Sequence, residues 1–259
     1  MKILMRIILP AFLFSVIAAT AQKLPNVQAI SLRAPAGIKI DGKAIEWDNK
    51  FQAFNNSTEV FYTIANDDEN LYLTVQAIIP QVINRVVGGG VTLTIQKSGK
   101  KTDNNNISIT YPYTDSKTFL IFNLKLRQSI ASDTSVNAAD SAMVQNNKLL
   151  EQKCKWIATT GIKDLDSLTS IYNDEGIKAV GIFDKKKIYT IELSVSLKHL
   201  GLSTKDAAKF TYNIRVNGPK PTPIPVLPGN EEITAMLNAS AARKNAPTDF
   251  WGEYTLAKK

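Results

Sequence analysis

The chain has 259 residues, a net charge of +8, 44% hydrophobic residues, one cysteine and one histidine. That composition is globular. A single cysteine excludes an internal disulfide, and one histidine without a cysteine cluster excludes a structural zinc site. The basic residues are scattered and no basic stripe is interleaved with aromatics, so nucleic acid is not an expected partner; the charge serves solubility or weak contact with an anionic surface.

In chain order the first element is a secretory signal. Lys2 and Arg6 form a positive n-region, residues 7–18 an apolar run, and Ala19-Thr20-Ala21 a small-residue cleavage site. The apolar run is shorter than the ~20 residues a membrane span needs. Residues 1–21 are therefore predicted to be a cleaved leader, with 22–259 a single exported domain, periplasmic or extracellular, without a transmembrane segment. Strands are predicted at 37–41, 60–65, 71–78, 91–96, 107–111, 119–126, 155–160, 177–183, 188–195, 210–216 and 251–256, from alternating β-branched and aromatic runs. Turn signals separate them, among them Asp41-Gly42, the acidic run 66–70, residues 97–100 and 103–106, and Asp184 with Lys185-Lys186-Lys187. Residues 80–90 read as a bare connection, with Gly88-Gly89-Gly90 a bulge or flexible hairpin. Helix is predicted only as insertions: 135–153, one turn at 197–201 closed by Gly201, and a short helix at 231–243. Five prolines keep 218–230 irregular. Many short strands with polar turns predict an all-β, jelly-roll-like antiparallel β-sandwich with short inserted helices.

Five blocks in order resemble the family-9 carbohydrate-binding modules. They are Ile38-Lys39-Ile40-Asp41-Gly42 followed by Trp47; the hairpin 60–75 with its acidic turn before Leu71-Tyr72; 189–201 with Glu192 and a closing Leu200-Gly201; 210–216 with Arg215; and the final strand 250–256. The resemblance covers roughly residues 36–257. It implies a jelly-roll-like sandwich that binds sugar ends between aromatic side chains, and calcium in some members. No carboxylate or aromatic stands in 80–90, where the family carries them, so the fold carries over further than the site.

Sugar recognition needs flat aromatic faces to stack on C–H surfaces. Trp47 and Trp251 fall in family blocks and are predicted to be core. Trp156, at the start of a strand, is free of any block, and Tyr111 and Tyr113 flank Pro112 on one face of an extended segment. Trp156, Tyr111 and Tyr113 are the candidate ligand-binding residues. No cofactor is expected. For calcium, Asn66-Asp67-Asp68-Glu69-Asn70 gathers oxygens but lacks the regular spacing of a dedicated loop and reads better as a solvated turn. Nothing beyond His199 and a distant methionine supports haem. Cys154 reads as a small buried apolar residue. Catalysis finds no footing: Glu46, Glu192 and Glu253 are not paired by spacing, and there is no G-x-S-x-G element or P-loop. The expected function is non-catalytic recognition of a carbohydrate or envelope glycan. The alternative is a structural or protein-interaction domain of the cell envelope that has lost the sugar site.

Overall fold

Strand alternation resolves into eleven strands in the computed structural model, which describes residues 23–98, 105–114, 122–124, 133–220, 223–226 and 228–259. They are β1 (Ala53–Asn55), β2 (Val60–Asn66), β3 (Asn70–Ala77), β4 (Val91–Gln96), β5 (Ile107–Tyr113), β6 (Trp156–Thr160), β7 (Leu168–Ser170), β8 (Ile177–Phe183), β9 (Tyr189–Ser196), β10 (Lys209–Val216) and β11 (Thr248–Thr255). A five-stranded sheet runs β1-β2-β3-β9-β8 and a six-stranded sheet runs β11-β10-β4-β5-β6-β7. Every named pairing is antiparallel. This is the predicted all-β sandwich.

One residue in two faces the partner sheet. Val60, Tyr62 and Ile64 of β2 and Leu71, Leu73 and Val75 of β3 meet Leu93 and Ile95 of β4 and Phe210, Tyr212 and Ile214 of β10 in one continuous core. Within it the Tyr62 and Tyr212 hydroxyls lie 3.1 Å apart, and Tyr62 also accepts from the Gln28 N–H at 2.8 Å. Cys154 is buried in this core, as its apolar reading anticipated.

The five-stranded sheet is covered on its outer side as well. Residues 24–52 fold back over it, and Ala44, Trp47, Phe51 and Ala65 make a second, smaller core. Residues 37–41 were predicted to be a strand; they run without ladder pairing instead. What fixes them is the Asp41-Gly42 turn, whose N–H groups both donate to Glu192 of β9. The following residues form a 3-10 turn (Ala44–Trp47) that drops Trp47 onto the sheet. Most of the predicted strand 119–126 lies outside the described residues.

The connection 80–90 is not bare. It forms α1 (Pro80–Gly89), with proline at its start, where a missing N–H costs nothing. Val82, Ile83, Val86 and Val87 repeat at helical spacing and are buried. The glycines that suggested a bulge have a packing role: a Cβ on Gly89 would sit 2.0 Å from the Gly218 carbonyl oxygen. The other helices fall where predicted: α2 (Asp133–Lys153), α3 (Leu197–Leu200) closed by Gly201 at φ 58°, and α4 (Glu231–Lys244).

Trp251 departs from its predicted core position. Its odd place in β11 turns it to the outer side of the six-stranded sheet, where it is half-buried. The inward position beside it belongs to Gly252, where a Cβ would stand 2.3 Å from Tyr212 Cζ.

Candidate functional site

The outer side of the six-stranded sheet is built from the polar half of each alternating strand. Thr92 and Thr94 of β4 stand opposite Thr110 and Ser108 of β5, and their hydroxyls bond across the strands at 2.7 and 2.9 Å. On β10, Asn213 donates to Asp249 Oδ2 at 2.7 Å, and just past its end the Asn217 amide donates to Thr92 Oγ1 at 2.9 Å. Threonine and serine at strand positions whose partner side is already filled give a flat field of hydroxyls. Thr92, Thr94, Ser108 and Thr110 are all partly exposed.

At the β5–β6–β7 end this field turns aromatic. Tyr113 and Trp156 are direct cross-strand partners, and Ser170 of β7 follows next to Trp156. Tyr113 is 38% exposed and Trp156 44%. Leu168 of β7, paired with Ala158 on the same outward row, is exposed, and so is Tyr172 in the turn that follows β7. The chain after β7 is pinned by two backbone donors, the Ile171 N–H to the Lys155 carbonyl at 2.9 Å and the Tyr172 N–H to the Ser170 side-chain Oγ at 3.2 Å.

Of the three candidate ligand residues, the structure brings Trp156 and Tyr113 together and separates Tyr111 from both. Between Thr110 and Tyr113 the register advances three residues on β5 while β6 advances two, from Ala158 to Trp156. That extra residue is a bulge, and it breaks the period-2 rule that placed Tyr111 and Tyr113 on one face. Tyr111 goes into the core, its hydroxyl donating to the Cys154 carbonyl at 3.5 Å. Burial pushes its phenol above the ordinary range. Leu168 and Tyr172 escaped the sequence reading because β7 is only three residues long, too short for a pattern of its own.

The opposite side of the molecule holds a buried carboxylate. Glu192 Oε2 accepts from the Asp41 N–H at 3.0 Å and the Gly42 N–H at 2.9 Å. Burial raises the acid to about 7, against the lowering effect of those two N–H groups and with a further push from Glu46. Glu192 Oε1, Glu46 Oε2 and Trp47 Nε1 are buried without a hydrogen-bond partner among the described residues. Glu192 holds the covering segment to the sheet and has no open path to a ligand.

The acidic turn 66–70 is internally occupied. Asp67 Oδ1 accepts from the Glu69 and Asn70 N–H groups and Oδ2 from the Tyr72 hydroxyl at 2.6 Å, while Asp68 pairs with Arg33 at 2.8 Å. Among the described residues no group of three or more His, Cys, Asp or Glu could hold a metal ion. His199 bonds to the Glu175 carbonyl. A groove of about 560 Å³ runs between residues 27–31 and Gly252–Thr255 of β11, at the edge of the six-stranded sheet farthest from Trp156.

No protein-family model and no curated protein matches this chain. Among solved structures it is similar to a carbohydrate-binding module of family 9 from Caldicellulosiruptor kristjanssonii, described in complex with glucose, at 9% identity and a TM-score of 0.41 over 89% of this chain and 96% of that one.

Proposed function

We propose that this chain is an exported, non-catalytic carbohydrate-binding domain whose ligand lies on the Trp156–Tyr113 end of the six-stranded sheet. One observation carries the reading: two aromatic side chains stand exposed as cross-strand partners, next to a field of hydroxyls. Water-facing aromatics on a sheet go against the usual burial preference, and a sugar offers what they lack, a C–H face to stack on and hydroxyls for the neighbouring polar groups. Export rests on the n-region, apolar run and cleavage site of residues 1–21. No described helix is long and apolar enough to cross a membrane.

The test is a titration of residues 22–259 with a panel of oligosaccharides, followed by tryptophan fluorescence. A saturable shift is expected, and Trp156→Ala should weaken binding tenfold or more, about 1.4 kcal/mol. Tyr113→Ala should weaken it less. A folded protein that shows no shift with any sugar, by fluorescence and by calorimetry, refutes the reading.

A second reading, a protein-interaction domain of the envelope, is favoured by one feature. Ile233, Met236 and Leu237 of α4 are exposed, together with Ile224 and Val226 of the proline-rich loop that Asn238 ties to the helix. If that surface is the working one, Leu237→Glu abolishes a biological partner's binding while Trp156→Ala leaves it intact.

A further inference from the structure

Resting on that reading, we propose that the face takes an internal stretch of a polysaccharide laid flat along the sheet, and does not clamp a chain end between two rings. The register decides the geometry. Tyr113 and Trp156 are adjacent on neighbouring strands and point to the same side. Side chains so placed start from Cβ atoms ~5 Å apart. A sugar ring held between two aromatic faces needs a van der Waals contact of about 3.5–4 Å on each side, hence a gap of at least ~7 Å. Side chains rising side by side from one face present their rings to solvent as a floor, and nothing in the register sets one ring opposite the other across a slot.

The floor continues past one ring. Leu168, paired with Ala158 on the row that carries Trp156, extends the exposed apolar surface onto β7, 41% exposed. With strands ~4.8 Å apart, β5 to β7 spans about 10 Å. Along the strands, the Thr92–Thr110 and Thr94–Ser108 pairs carry hydroxyls away from the aromatic end. The floor is therefore wider and longer than a single sugar. The aromatic end carries no charge on Tyr113, Trp156, Leu168, Ser170, Thr110 or Ala158, while the exposed Arg215 flanks Thr92 where the hydroxyls run on.

The measurement uses cello-, xylo- and manno-oligosaccharides of two to six units, each with its borohydride-reduced counterpart, titrated by calorimetry into residues 22–259. For at least one series the dissociation constant should fall tenfold or more from two units to six, and the reduced hexamer should bind like the native one. Trp156→Ala, checked for folding by its melting curve, should lose both effects, and Leu168→Ala should lower affinity for the hexamer more than for the dimer. If a dimer binds as tightly as a hexamer, or reduction of the chain end abolishes binding, the flat-chain proposal is overturned while the carbohydrate reading stands. If no series binds to the folded protein, both fail together.

Discussion

Glu192 gives the sharpest test of how the covering segment is held. Its carboxyl group is buried, with a value near 7 in the folded chain against an ordinary 4.5. A raised acid stabilises the fold through its protonated form. The contribution is full below about 4.5 and is lost as pH rises through about 7, because the unfolded chain then releases a proton that the folded chain holds. At 1.36 kcal/mol per pH unit, the loss between pH 4.5 and pH 8 is about 3 kcal/mol. Glu192→Gln presents the same oxygen to the Asp41 and Gly42 N–H groups without a charge to bury. Its NH₂ takes the place of Oε1, which has no hydrogen-bond partner among the described residues. Urea denaturation at pH 5, 6, 7 and 8 should show wild type and variant similar at pH 5, and the variant more stable at pH 8 by about 1–3 kcal/mol. Subtracting the two curves removes every other titrating group. Parallel curves, or a variant weaker than wild type at pH 8, would refute the assignment of the buried charge to Glu192.

Two further outcomes follow from the packing. Gly252→Ala brings a Cβ within 2.3 Å of the Tyr212 ring, which is itself fully buried, and should cost about 1–3 kcal/mol, read as a lower melting temperature; an unchanged melt would show that β11 can shift away from the core. Cys154 is 1% exposed and its thiol is pushed up to about 12, so a disulfide reagent at pH 8 should label it about 100-fold more slowly in the native protein than in denaturant; equal rates would place it at the surface.

The strands that pack on both faces were the easiest to read. In β3 and β9 the inward rows Leu71-Leu73-Val75 and Ile191-Leu193-Val195 alternate cleanly, and the turns between strands are marked by Asp, Asn and Gly. The Asp41-Gly42 turn and the core position of Trp47 were also legible, because a tight turn and a large anchor have few other uses. What escaped depends on long-range neighbours. The glycines ending α1 make sense only once the Gly218 carbonyl is in place against Gly89. The bulge in β5 has no local signature, yet it alone decides that Tyr113 faces water and Tyr111 faces the core. Of the candidate site, Trp156 and Tyr113 could be named one by one, but their pairing across β5 and β6 is a property of the register.

The two outer faces of the sandwich differ in how their polar rows are covered. On the five-stranded sheet, alternation also leaves polar residues outward, but there they are sealed: Thr63, Thr74 and Glu192 are at most 2% exposed beneath residues 24–52. Those buried polar groups have to find partners within the protein, and Glu192 does so with one oxygen, Oε2, by binding its own chain at Asp41 and Gly42. On the six-stranded sheet the hydroxyls remain partly exposed, and the largest side chain among them, Trp156, is the most exposed of the three tryptophans. Apolar area left in water at Tyr113, Trp156, Leu168 and Tyr172 forgoes about 25 cal/mol for each Å² that folding could have buried. The same sequence that folds a leading segment over one sheet to bury Trp47 leaves Trp156 uncovered on the other, and on the proposed reading that stabilisation goes to a bound chain.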